Sequence, residues 1–257
     1  MVIWSRHEGG VMTIVPQRDW DFERPLVLVG FPTPGMVGAV AASYLIPTLG
    51  MRLVATMESP HLPPVASIRK GRAIAPVQIF ASQTRCFDER CSQLVIVRSD
   101  AAPDPEHVND IATELLDWCT SVGAGLIVAL EGTSVEGSDG AVFAVPNVAA
   151  DLDVERLRVH TLPEGIVGGF AASLLIQGNR RGAGVLCLFT STADGVPDAA
   201  AAARLVEVTS SLVPGISLDA GPLEQKAERI EAGLRRFAEE FEAAIGKSEQ
   251  GSSMMYG

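Results

Sequence analysis

Few residues in this chain are of a type, and so placed, that they could do chemistry. His61 stands in Ser59-Pro-His-Leu-Pro-Pro64, where the flanking prolines stiffen the backbone and would present an imidazole in a fixed direction. Held so, it could act as an acid–base group, but the neighbouring sequence supplies no carboxylate partner, and a structural loop histidine is the other reading. Glu131 and Glu164 each stand beside a glycine, at a strand end and a helix start. There a carboxylate could line a cleft, or simply be solvated or complement a helix dipole. The segment Gly30-Phe-Pro-Thr-Pro-Gly-Met-Val-Gly38 follows an apolar run and opens a helix, as a dinucleotide-binding loop does. Its glycines are five and three residues apart rather than two and three, and its prolines remove N–H donors that a phosphate would need. That argues against a nucleotide.

No other motif of an enzyme class is present: no G-x-S-x-G elbow, no H-E-x-x-H, no Walker lysine. Cys86 and Cys91 have the wrong spacing for a zinc knuckle, and Cys119 and Cys187 sit in apolar runs as core residues do. The expectation is therefore no catalytic residue, no metal and no cofactor. Unpaired cysteines suit a reducing cytoplasm, and Arg6, His7 and Glu8 precede any long apolar run, against a secretory signal. A formal net charge of −11 repels phosphate backbones and argues against nucleic-acid binding. Residues 25–51 carry no charge, yet Gly30, Pro32, Pro34, Gly35, Gly38 and Pro47 interrupt them, so no membrane span is predicted.

The elements that must position these residues alternate. Apolar runs at Pro25–Gly30, Arg52–Met57, Val77–Ala81, Leu94–Arg98, Leu126–Leu130 and Val185–Phe189 read as strands, with Val142–Val145 as an edge strand. Gly35–Thr48, Asp104–Val122, Gly165–Arg181 and Pro197–Leu212 read as helices, the second with Pro105 near its start and Gly123 past its end. This pattern predicts a mostly parallel α/β sheet with helices on both faces. Residues 1–246 form one domain in this reading and residues 247–257 a flexible tail.

Two patterns stand out. Gly35–Ile46 matches Gly165–Ile176 at eight of twelve positions, including Gly35, Gly38, Gly165 and Gly168. Either both helices pack closely on a sheet through glycine and alanine, or their N-termini border a shared cleft able to attract an anion. From Pro222 to Ile245, Leu223, Ala227, Ile230, Leu234, Phe237, Phe241 and Ala244 recur at steps of four and three. That is an amphipathic stripe for the chain's own core or for another subunit.

Taken in order, the blocks Gly30-Phe-Pro-x-x-Gly-x-Val-Gly38, Ser59-Pro-His-Leu-Pro-Pro-Val-Ala66, Pro163-Glu-Gly-Ile-Val-Gly-Gly169 and Leu186-Cys-Leu resemble the archaeal proteasome assembly chaperone family, over roughly residues 20–245. The resemblance implies a phosphorylase-type α/β fold, a homo-oligomer and a proteasome core particle as partner. It also points to the last three residues, Met255-Tyr256-Gly257, which have the hydrophobic–Tyr–any-residue form used to enter pockets between proteasome α-subunits. The competing expectation is a small-molecule hydrolase or phosphorylase-like enzyme, or an ATP-grasp-like one as some relatives are labelled. Its site would lie at the glycine-rich helix starts and draw on Gly35, Gly38, His61, Glu131, Glu164, Gly165 and Gly168.

Overall fold

Pro25–Gly30 is buried along its whole length, which a strand can be only in the middle of a sheet covered on both faces. In the computed structural model, which describes residues 12–82, 93–133, 140–150, 152–192, 197–213 and 218–223, it is the second strand, β2. The strands are β1 (Thr13–Pro16), β2, β3 (Arg52–Glu58), β4 (Ser67–Arg69), β5 (Arg72–Ile74), β6 (Val77–Ala81), β7 (Gln93–Ser99), β8 (Leu126–Thr133), β9 (Val142–Pro146), β10 (His160–Thr161) and β11 (Val185–Ser191). The helices are α1 (Val37–Thr48), α2 (Val108–Ser121), α3 (Gly169–Arg181) and α4 (Ala199–Ser210). Short 3-10 turns at Pro34–Met36 and Pro105–His107 lead into α1 and α2.

Nine strands form one sheet in the order β1-β3-β6-β7-β2-β8-β11-β9-β10. The centre, β7-β2-β8-β11, is parallel, as helical crossovers require. On one side β1, β3, β6 and β7 pair antiparallel, and on the other β9 returns antiparallel to β11. The sheet is therefore mixed around a parallel centre. Strand alternation sorts the core into two layers. Leu26 and Leu28 of β2 point to the side of α1 and α4, and Val27 and Val29 to the side of α2 and α3. Each such side chain removed from water contributes about 1.5–3 kcal/mol, offset by the entropy of ordering the chain.

Several expectations change. β1, the β4–β5 hairpin and β10 were not foreseen, being three or four residues long or less and largely exposed. β9 is not an edge strand, because β10 pairs outside it. α3 begins at Gly169, not Gly165. The three glycines at 165, 168 and 169 resist helix, Gly168 is extended (φ −116°, ψ 179°), and Gly169 turns the chain at φ 66°. Of the expected Pro222–Ile245 helix, Gly221–Leu223 is helical with Leu223 buried, and the remainder lies outside the described residues, as does the tail. Among the described residues no helix is long and apolar enough to cross a membrane.

The β4–β5 hairpin is fastened to the sheet through Asp100, just after β7. Its carboxylate accepts from Ser67, from Gln78 Nε2 at 3.1 Å and from Arg69 at 3.2 Å, and it pairs with Arg98. Burial alone would raise the Asp100 pKa. The Arg98 charge, the hydrogen bonds from Ser67 and Arg98, and the Arg69 charge outweigh it and hold the carboxyl below its usual range.

Candidate functional site

The glycine-rich loop after β2 is shaped by backbone contact. A Cβ on Gly38 would lie 2.3 Å from the carbonyl oxygen of Leu130 in β8, and one on Gly30 would lie 2.4 Å from that of Gly38. A Cβ on Gly132 would lie 1.9 Å from the Pro34 carbonyl oxygen, and one on Gly35 (φ 64°) would lie 2.0 Å from Thr192 Oγ1. Loop and strand end thus touch main chain to main chain, with Thr192 packed against Gly35. Gly35 and Gly38 serve close packing. In the echoing segment, a Cβ on Gly168 would meet no described residue within 4 Å, and the atoms nearest to one on Gly165 belong to the Leu162 side chain. The two glycine pairs match in sequence and differ in role.

A cavity of about 420 Å³ opens beside this contact, lined among others by Thr33, Pro34, Glu131, Phe143, Gly168 and Phe170. It lies where β8 ends and where the β2 loop begins, outside the carboxyl ends of the parallel strands, the place where open α/β sheets take ligands. Phe31 and Phe170, with ring centroids 4.6 Å apart, back it. Among the described residues Glu131 is the one charged residue in its lining, and it is only 6% exposed. Of its two readings from the sequence, a solvated or capping acid and a carboxylate lining a cleft, the burial fits the second. Burial pushes its carboxyl up to about 8, against the opposing effect of a hydrogen bond from Thr33. Thr33 Oγ1 in turn accepts from the Gly132 N–H at 3.5 Å. At neutral pH Glu131 is thus mainly a neutral acid and can donate a hydrogen bond into the cavity.

This has a consequence for stability. The folded chain keeps the Glu131 proton up to about 8, whereas the unfolded chain releases it near 4.5. Between those values the unfolded state binds fewer protons, so the stabilising contribution is complete below the lower value and is lost as pH rises, by at most ~1.4 kcal/mol per unit. Glu131→Gln is expected to remove that descent. Denaturant titrations at pH 5 and pH 9 check this: the wild type should lose stability relative to the variant at the higher pH, and parallel losses would contradict it.

Of the seven residues expected around a cleft, Glu131 and Gly168 line this cavity and Gly35, Gly38, His61, Glu164 and Gly165 do not. Glu164 and Gly165 are exposed. His61 sits elsewhere, its Nδ1 3.2 Å from Glu114 Oε1 of α2 and its ring 4.9 Å from that of His107. The acid partner missing from the sequence around His61 is therefore Glu114, 53 residues away. Cys119 and Cys187 are buried free thiols, and Cys86 and Cys91 lie outside the described residues, with Met255, Tyr256 and Gly257. Sequence reasoning missed Thr33, Phe170 and Glu114. Helical spacing of His107, Asp110 and Glu114 was the one signal that could have found the last.

A mixed sheet between two helix layers, with a glycine loop pressed on the end of its central strands, defines a three-layer α/β protein. Within that class the chain belongs to the PAC2 family, whose model matches residues 27–238. It is similar to PbaA of Pyrococcus furiosus, an archaeal homolog of proteasome-assembly chaperone, at 28% identity and a TM-score of 0.73, covering 91% of this chain and 99% of that one. PbaB of the same organism, an archaeal proteasome activator, shares the fold at a TM-score of 0.70 and 23% identity, covering 88% of this chain and 98% of that one. An uncharacterized protein of Methanocaldococcus jannaschii is 26% identical over 239 residues, 93% of this chain and 96% of that protein.

Proposed function

We propose that this chain is a proteasome assembly chaperone or activator-like factor that binds the α-ring of the core particle through Met255-Tyr256-Gly257. The observation that carries the reading is the likeness to PbaA, an archaeal homolog of proteasome-assembly chaperone, over 91% of this chain, taken with the hydrophobic–Tyr–any-residue form of Met255-Tyr256-Gly257. A tyrosine supplies a stiff ring for a pocket and a hydroxyl for its rim. The carboxylate of Gly257 suits capture by a cation on the partner, a recurring recognition mode. Eleven residues from Lys247 to Gly257 span about 36 Å extended, or about 18 Å as a random coil, enough to bridge rings of unequal symmetry. Three contact residues bind weakly alone, so a homo-oligomer offering several tails raises affinity through effective concentration.

Pull-down by immobilised chain, offered purified α-rings and complete core particles separately, tests this reading. Retention of either supports it, and retention of α-rings alone favours assembly over activation. Failure to retain both contradicts it. Subunit contact through the stripe beyond the buried Leu223, at Ile230, Leu234, Phe237 and Phe241, has its own check. Leu234→Glu is expected to reduce the assembly size in light scattering, and an unchanged size assigns the interface to another surface.

A small-molecule role for the Glu131 cavity is the second reading, favoured by its place at the strand ends and by its buried acid. Thermal shift against nucleosides and nucleotides tests it. His61 and Glu164, which that reading also enlisted, do not line the cavity.

A further inference from the structure

His61, which the proposed function leaves unused, belongs to a cluster at the start of α2. Asp110 and Glu114 lie four residues apart on one face of α2, and His107, in the 3-10 turn that leads into it, stands three residues before Asp110. The proline-bracketed loop after β3 lays His61 against that face. One ligand atom from each of His61, His107 and Asp110 lies within 4.8 Å of the other two. Around a single zinc-type ion, with bonds of about 2.0–2.2 Å, such atoms would stand about 3.3–3.5 Å apart. The closure needed is small, and the His107 and Asp110 side chains, 40% and 50% exposed, are free enough to make it.

Glu114 points independently to a cation. Its side chain is only 10% exposed, and its Oε1 lies 3.2 Å from His61 Nδ1. Its Oε2 is buried and without a hydrogen-bond partner among the described residues. A carboxylate that takes the Nδ1 proton of a histidine as its hydrogen bond fixes the tautomer and leaves Nε2 with its lone pair outward. That is the carboxylate–histidine–metal arrangement found behind ligating histidines. The His61–Glu114 and His107–Asp110 contacts are those of a hydrogen-bonded network, and a cation on His61 Nε2 would in addition face the Glu114 carboxylate across the imidazole.

We propose that His61, His107 and Asp110 form a binding site for a zinc-type divalent metal ion, with Glu114 as the carboxylate that orients His61. Three protein ligands leave a fourth position open to water or to a donor from a partner. The ion pins the Ser59–Pro64 loop to α2, and with it one wall of the larger open cavity of about 810 Å³ that Ser59, Pro60 and Leu62 help to line.

The test is calorimetric titration of the untagged, chelator-treated full chain with zinc chloride, followed by cobalt chloride, whose visible bands report geometry. One ion per chain is expected, with tetrahedral-type cobalt bands. His107→Ala and Asp110→Asn should each weaken zinc at least about 100-fold, and Glu114→Gln by about 10- to 100-fold, while His160→Ala changes nothing. His107 and Asp110 are partly exposed, so their variants fold even if His61→Ala does not. Absence of zinc binding, or binding that His107→Ala and Asp110→Asn leave unchanged, overturns the proposal.

Discussion

Gly132→Ala is expected to destabilise the fold by about 3 kcal/mol or more, a loss reserved for changes that force backbone apart. The added Cβ would stand 1.9 Å from the Pro34 carbonyl oxygen and 2.9 Å from Thr192 Cγ2. Neither the Pro34 main chain nor the β8 strand end can give way by an ångström without breaking the ladder to β11 or shifting α1. Gly38→Ala should behave alike, since its Cβ would meet the Leu130 oxygen at 2.3 Å. Gly123→Ala is the control. Its φ is 68° and nothing lies within 4 Å of the added atom, so it carries only the left-handed strain of about 1–2 kcal/mol. In a chain of this size 3 kcal/mol lowers Tm by about 6–12 °C. If Gly132→Ala and Gly38→Ala melt with or above Gly123→Ala, the main-chain contact does not hold the loop as described.

Deletion of Met255–Gly257 is expected to weaken association with proteasome core particles at least about 100-fold, and Tyr256→Ala about 30-fold or more. A tyrosine anchor at the centre of a small interface contributes about 2 kcal/mol or more, and each 1.4 kcal/mol is tenfold in affinity. In an oligomer the loss multiplies, because each tail lost also removes its gain in effective concentration. Neither change should move the melting temperature, since these residues lie beyond the matched 27–238. Gel filtration of mixtures with core particles, alongside melting curves, separates loss of binding from loss of fold. Normal co-elution of both variants would remove the tail from the account.

How much was legible in the sequence depended on whether burial was written locally. Pro25–Gly30, Leu126–Leu130 and Val185–Phe189 could be read as strands because strands covered on both faces are continuously apolar. β10 and the β4–β5 hairpin could not, since they are short and half-solvated and owe their pairing to neighbours distant in sequence. The Gly30–Gly38 loop showed that small residues were needed and did not show why. A main-chain contact with β8, about a hundred residues later, leaves no periodicity. Glu131 was visible as an acid at a strand end, but not its burial or the cavity it shares with Phe143, Phe170 and Phe189, which only the fold gathers. His61 was visible and its partner was not, because Glu114 stands on α2, 53 residues further along the chain.

In the proposed mode of binding the Tyr256 ring and the Gly257 carboxylate enter the partner together. Fluorescence anisotropy of labelled full chain against purified core particles measures this most directly when repeated with two glycines appended after Gly257. The appended chain keeps Met255 and Tyr256 and displaces only the terminal carboxylate. Binding by the native end, and a loss of at least about tenfold with the extension, are expected. Equal affinities would contradict this mode of binding.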